Sequence, residues 1–342
     1  AQQRTAASIR AEVSAAFVWQ TSSSTARPQI CGVHCSGWVA ASAGGRVNAC
    51  ARVMPAVVAR VWRWSRICCQ VSRVSVLLAV IGPLERWRPV EPVLDRAAVR
   101  VDVIYTLIHR LGLIRVALFF TLDPLFDQIF GALRVAGWHT FQLDAVWSGV
   151  TDLPWASLLL YLVVLDLVDY WLHRAQHQWH WWWSLHALHH AQRQLTMWSD
   201  NRSHLLDDVI GAAVFVLIAK LIGIAPGQFV AIVALTQLSE SFQHANLRVW
   251  FGPVGERLWV SPRFHRLHHA VGIGHESHGR STLGGYNFGV LLPYWDMLFG
   301  TANFELRFDP TGVRDQVEQG RDYGHGFWSQ QWLGLKRLAG RA

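Results

Sequence analysis

Between Pro154 and Leu172 the chain reads PWASLLLYLVVLDLVDYWL, and the next residue is His173. A run this long and apolar matches the roughly 20 residues an α-helix needs to cross a bilayer. The proline at its head suits a first helical turn. Any fold must therefore embed this helix and deliver a histidine at its end. If the helix continued to Trp183 it would be about 45 Å long, beyond a hydrocarbon core of about 30 Å, so its histidine end would protrude. Val209 to Ile224, Ala225-Pro226-Gly227 and Gln228 to Leu238 read as a hairpin of two further apolar arms. Val101 to Phe120, broken by His109, Arg110 and Arg115, and the short run Val74 to Gly82 are weaker segments, and 124–136 reads as an amphipathic surface helix. The expected fold class is an all-α integral membrane protein with about four or five membrane helices and a helical cap outside the bilayer.

Composition agrees with a membrane setting. Of 342 residues, 51% are hydrophobic and 16% charged, which is too apolar for an ordinary soluble domain. Nineteen tryptophans suit a hydrocarbon–water boundary, and Trp179, Trp181, Trp182 and Trp183 are expected there as an anchoring belt. The net charge of +8 comes almost wholly from arginines lying between apolar segments, which points to a membrane surface and away from nucleic acid. Arg174, Arg193, Arg202, Arg248, Arg257, Arg263 and Arg266 flank the histidine side, whereas loop 135–153 holds Asp144 and Asp152 and no Lys or Arg. By the positive-inside rule the histidines face the cytoplasm, of a bacterial inner membrane if the Ala-, Val- and Gly-rich composition reflects the source. All five cysteines precede residue 70, so disulfides and thiolate ligands play no part in the rest. Four regions are expected: an N-terminal extension over 1–53 that is not part of the working fold, a basic then apolar lead-in helix over 54–79 with Met54 read as a start, a membrane domain over 80–305, and a cytosolic tail over 306–342.

Nine histidines crowd the helix ends: His173 and His177 in HRAQH, His186, His189 and His190 in HALHH, His244, and His265, His268 and His269 in HRLHH. On a helix, positions i, i+3 and i+4 share one face, so each cluster aims its rings together. Nine imidazoles exceed the three or four ligands of one tetrahedral zinc and suit two metals. Imidazole accepts Zn, Cu, Fe and Ni alike, so the ligand type leaves the metal open. Two irons with open positions would activate O2, and two metals holding water would hydrolyse an ester. His204, in DNRSH, is read as ligand, support for a ligand, or partner of Asp207 and Asp208. His275 and His278 lie in a glycine-rich loop and are read as solvated, with His278 kept as a supporting candidate. Asp166 and Asp169 share a helical face with His173, where either carboxylate could accept the second N–H of a ligating ring or bond a neighbouring helix.

The order HRAQH (173–177), HALHH (186–190), HANLR (244–248), PRFHRLHH (262–269), NFG (287–289) and WDMLFGT (295–301) resembles the sterol desaturase and fatty acid hydroxylase superfamily of membrane, histidine-ligated di-iron oxygenases, over about residues 80 to 302. GPLERWRP (82–89) is similar to that family's first helix exit. The resemblance implies a cytosolic di-iron cap on membrane helices, two iron ions held by the nine histidines with zinc as a substitute, O2 as co-substrate, and a lipid substrate. It also implies a separate electron donor of ferredoxin or cytochrome type. Asn287 and Asp296, in its last two motifs, join the candidate supporting residues, and no side chain beyond the ligands is singled out as catalytic. The loop VGIGHESHGRSTLGGY between HRLHH and NFG is longer than the family's common form and could cap the site. Hydroxylation is the leading reading, with desaturation on the same ligands as its nearest rival. A metal-dependent hydrolase is disfavoured because HRAQH lacks the glutamate of HExxH. A haem or metal carrier would place its ligands within the bilayer and not at helix ends.

Overall fold

The structure is a computed structural model that describes residues 74–110, 113–275 and 284–341. The expected N-terminal extension, the five cysteines, most of the lead-in helix and His278 lie outside the described residues. Among the described residues there is no strand; the extended pairing is an isolated antiparallel bridge between Ala270 and Thr311. A helical stretch through Leu77–Ile81 runs on into α1 (Gly82–Trp87), so the expected boundary after residue 79 falls inside one helix. Next come α2 (Arg96–Arg110) and α3 (Leu113–Val135). The latter runs through Pro124, and the surface helix expected at 124–136 is its second half.

α4 (Pro154–Gln178) is the one helix among the described residues that is long and apolar enough to cross a membrane. At 1.5 Å per residue it spans about 38 Å. It does not continue to residue 183, because Trp179 is extended and α5 (His180–His190) starts afresh beyond it. The reversal has a chemical cause: Gln176 on α4 and Trp182 on α5 both donate to the same buried carboxylate, Asp207. The tryptophan belt is split by this turn. Trp179 and Trp181 are exposed, while Trp182 is buried and Trp183 packs inward on histidines.

The predicted hairpin is present as α6 (Leu205–Leu221) and α7 (Pro226–His244), with Pro226 opening the second arm. Buried positions Tyr161, Leu162, Leu165, Asp166, Tyr170 and His177 recur at helical spacing along α4, so one stripe faces the bundle. Tyr161, Leu162 and Leu165 pack against Ala219 of α6, Ile232 of α7 and Leu291. Two short helices, α8 (Gly252–Leu258) and α9 (Pro262–His268), follow α7. After α10 (Tyr294–Leu298) come α11 (Arg314–Gln319) and α12 (Phe327–Leu338). Expected as a tail, this last stretch is built into the same compact unit, Ala59–Ala342. Gln331 of α12 donates to Tyr105 of α2, and Arg337 donates to the Ser184 carbonyl of α5.

Candidate metal centre

Three buried polar knots fix the elements that carry the histidines. The first sets α9, whose start is capped by the Ser261 hydroxyl accepting from Phe264 N at 3.0 Å. Glu256 accepts from Ser261 Oγ and pairs with Arg263, whose guanidinium also donates to the Asn303 and Glu305 carbonyls. Arg266, one turn on, pairs with Glu91 and donates to the Asp309 carbonyl. Arg263 and Arg266 are therefore buried structural cations, whereas Arg257, also on the histidine flank, is exposed. The second knot is Asp102, fully buried, which pairs with Arg202 and accepts from Ser199 and Gln192. The third is Asp207, accepting from Gln176 Nε2, Trp182 Nε1 and His186 Nδ1 at 2.7, 2.6 and 3.1 Å.

These knots bring the nine histidines to one place and divide eight of them into two groups of four. His173, His177, His190 and His268 form one tetrad; His189, His244, His265 and His269 form the other. In each, the four ligand-type nitrogens lie within 4.8 Å of one another, close enough to hold a metal ion. His186 belongs to neither and stands between them, its ring centroid 5.1 Å from His177, 5.2 Å from His190, and 5.3 Å from both His173 and His189. Its Nε2 is buried without a partner among the described residues.

The chemistry of the donors fits a cation. His189 Nδ1 meets the Arg202 carbonyl at 3.2 Å and His244 Nδ1 meets the Glu240 carbonyl at 2.8 Å. A carbonyl only accepts, so both protons sit on Nδ1 and both Nε2 atoms present lone pairs. Those two Nε2 atoms nevertheless face each other at 3.1 Å. Further Nε2–Nε2 approaches of 3.0 Å between His265 and His244 and 3.1 Å between His269 and His265 complete the group. A metal–nitrogen bond of about 2.1 Å places neighbouring ligand nitrogens about 3.0 Å apart at right angles and about 3.4 Å apart at the tetrahedral angle. Burial, and then the neighbouring imidazoles, push the pKa values of His189, His190, His265 and His269 well below the usual 6.5; the same two causes outweigh the carbonyl bond at His268. Neutral rings with unshared pairs are the form that binds metal.

The first tetrad is oriented differently. His173 Nδ1 donates to the Phe288 carbonyl at 2.9 Å, His268 Nδ1 to the Tyr286 carbonyl at 2.8 Å, and His177 Nδ1 to the Gly284 carbonyl at 3.2 Å. One five-residue strip of backbone thus turns three rings. Asn287, held at φ 62°, braces that strip by donating to the Phe264 and Asn303 carbonyls and accepting from Asn303 N. Asp296 accepts from Phe288 N, Gly289 N and Thr301 Oγ1. Gly289 is obligatory, because a Cβ there would stand 2.7 Å from Asp296 Oδ2 and 2.9 Å from the Leu292 carbonyl. Asp166 accepts from Leu291 N, Leu292 N and Trp295 Nε1, so it clamps the chain just beyond the strip and touches no ligating ring.

Other candidates are placed elsewhere. Asp169 is half-buried, and the His173 Nδ1 proton, one of the two partners its carboxylate could have taken, goes to the Phe288 carbonyl. His204 caps α6, its Nδ1 accepting from Leu206 N and its Nε2 donating to the Gln331 carbonyl, which leaves no nitrogen for a metal and no bond to Asp207 or Asp208. His275 is not solvated: it is 3% exposed, stacks on Trp183 at 5.3 Å and lies 6.2 Å from His190. Asp207 was read only as a partner for His204, because nothing in the local spacing links it to His186, 21 positions earlier.

Residues 158–301 match the fatty acid hydroxylase family. An ornithine lipid hydroxylase of Rhizobium tropici is 29% identical over 48% of this chain and 47% of its own length. An alkylglycerol monooxygenase of Caenorhabditis elegans is 28% identical over 53% of this chain and 34% of its own, and a methylsterol monooxygenase of Arabidopsis thaliana is 25% identical over 52% and 60%. The chain thus covers about a third to three-fifths of these relatives. No solved structure matches it.

Proposed function

The chain belongs to the sterol desaturase and fatty acid hydroxylase superfamily, and from that premise we propose that it is a membrane-bound oxygenase that hydroxylates a C–H bond of a lipid at a two-iron site. The observation that carries this reading is the pair of tetrads, in which buried neutral imidazoles turn unshared pairs toward one another. When bound, two irons supply the O2 reduction needed to oxidise an unactivated C–H bond, with zinc able to take their place during overexpression. The balance is one lipid C–H, one O2, two electrons and two protons in, and one C–OH and one water out. The named relatives are an ornithine lipid hydroxylase, an alkylglycerol monooxygenase and a methylsterol monooxygenase, so a lipid, acyl-chain or sterol-like, is the proposed substrate class.

Residues of this chain have distinct tasks in that reaction. His173, His177, His190 and His268 hold one ion and His189, His244, His265 and His269 the other, while His186, oriented by Asp207, serves the space between. The backbone strip 284–288 and the Arg202 and Glu240 carbonyls fix which nitrogen of each ring is free. Trp183 and Phe288 pack over the first tetrad and exclude water.

Membrane placement belongs to the same reading. Beside α4, α6 and α7 enter the bilayer as a hairpin and α3 as a further segment, which gives four crossings, while α2 stays with the cap through its Asp102–Arg202 pair and the Tyr105–Gln331 bond. The histidine cap then faces the cytoplasm of a bacterial inner membrane, where a ferredoxin- or cytochrome-type donor delivers electrons. The test is incubation of reconstituted protein with a donor system and candidate lipids under 18O2. A product carrying one labelled oxygen is expected. Label drawn only from water overturns the reading in favour of hydrolysis, and an unlabelled product two hydrogens lighter overturns it in favour of desaturation.

A further inference from the structure

α12 is amphipathic in the reverse sense. Its buried residues are Gln330, Gln331, Gly334 and Arg337, whereas Trp328, Trp332 and Leu335 are 77%, 60% and 41% exposed. At 3.6 residues per turn these three fall within an arc of about 60°, a continuous stripe. The polar face is firmly attached. Gln331 Oε1 accepts from Leu205 N at 2.8 Å, its Nε2 donates to Tyr105 Oη at 2.9 Å and to the Ser203 carbonyl at 3.0 Å, and its carbonyl accepts from His204 Nε2. Arg337 Nε donates to the Ser184 carbonyl and its guanidinium lies over the Tyr323 ring. The helix therefore cannot roll to hide its indoles. Exposed apolar stripes of this kind mark a contact surface.

We infer that this surface rests on an anionic bilayer, with Trp328, Trp332 and Leu335 inserted among the lipid headgroups. Three observations choose lipid. The stripe starts beside α6: Gln331 grips residues 203–205, and Leu206 and Val209, next along α6, are themselves exposed. The chain carries no acid after Asp322 but has Lys336 and Arg341 outside the buried face, which suits anionic headgroups. Lys336 Nζ lies over the exposed Trp332 ring, 5.8 Å from its centre, so the stripe carries an ammonium beside an indole, a pairing that suits the headgroup level. The contact would hold the cap at a set height above the bilayer, through α5 and α6, which carry His186, His189, His190 and Asp207. It rests on the membrane reading of α4 but not on the chemistry of the metal site.

The test uses the full chain with its five cysteines replaced by Ser and single spin labels at Trp332→Cys, Leu159→Cys on the outer face of α4, and Glu318→Cys on α11. Each protein is placed in nanodiscs of phosphatidylcholine with or without phosphatidylglycerol, and relaxation by O2 is compared with relaxation by a water-soluble nickel chelate. With phosphatidylglycerol present, the labels at 332 and 159 are expected to favour O2 and the label at 318 to favour nickel, with 332 shallower than 159. Lys336→Glu should move label 332 toward nickel without changing metal content. A label at 332 that behaves like 318 while 159 stays in lipid overturns the docking and leaves the membrane reading intact. Nickel access at 159 overturns both. Protection of 332 from both agents, with a doubled mass, assigns the stripe to a second copy and overturns the lipid contact, and an equal depth in both lipid mixtures overturns its anionic character.

Discussion

The two tetrads use the same side chain and differ in what holds it. In the first, three of four rings donate to carbonyls of one irregular strip, 284–288, and the strip depends on Asn287, Asp296 and Asp166. In the second, the two rings with an oriented Nδ1 lean on Arg202, fixed by the buried Asp102 pair, and on Glu240, one turn below His244 on α7. A braced irregular strip governs one group; helices and a buried ion pair govern the other. The difference teaches that the two sites should fail separately and by different routes.

The largest effect comes from removing a ligand on either side. His268→Ala and His265→Ala should each lower iron from about two per chain toward one and reduce turnover by more than the 10–100-fold that loss of a supporting residue brings. Elemental analysis beside a turnover assay checks this; full iron content in either variant would dissolve the two-tetrad division. Next in size is Asp102→Ala, which leaves Arg202 as a buried unpaired charge. Such a loss costs about 3–5 kcal/mol. It should appear as a lower unfolding temperature, with metal lost first from the His189 group. Smaller again is Asp296→Ala, which frees the Phe288 and Gly289 amides and lets the strip drift. Metal affinity should fall roughly 10–100-fold at the His173 group alone. Spectroscopy that resolves the two ions would show one weakened and one intact, and equal weakening of both would mean that the strip supports the whole site.

Much of the cap was legible because helical spacing carries it. HALHH and HRLHH declare a shared face by their own positions, although each box divides its rings between the two tetrads, and Pro154 marks a helix start in the place observed, whereas Pro226, read as part of a turn, opens α7. What escaped is carried by backbone atoms and by long separations. The carbonyls of Gly284, Tyr286 and Phe288 have no residue-type signature, whereas Asp166 and Asp169 share a helical face with His173 by spacing alone; the His173 proton goes to Phe288, and Asp166 binds the chain at 291–295 instead. Asp207 reaches His186 only because α4 ends at Gln178 and α5 folds back, and that ending depends on the carboxylate itself. Arg263 and Arg266 read as surface charge because their partners, Glu256 and Glu91, lie 7 and 175 positions away, the second beyond any local pattern. His275 read as solvated for the same reason, since it sits in a turn and Trp183, which stacks on it, belongs to the distant α5.

The smallest effect separates a histidine that holds structure from those that face a metal. His204 stands at the head of α6 with both nitrogens committed: one caps Leu206 N and the other binds the Gln331 carbonyl of α12. The ring also presses on Gly334, where an added Cβ would lie 2.4 Å from Cδ2. His204→Asn keeps a capping oxygen but is too short to reach Gln331, so the loss should be about 1 kcal/mol, the scale of one hydrogen bond. Iron content and turnover should remain at the wild-type level, while unfolding temperature falls by a few degrees and the C-terminal helix becomes the first to exchange its amide hydrogens. A drop in iron to match would show that α12, through His204 and the start of α6, transmits to Asp207 and His186, and the separation between structural and metal-facing histidines would then be lost.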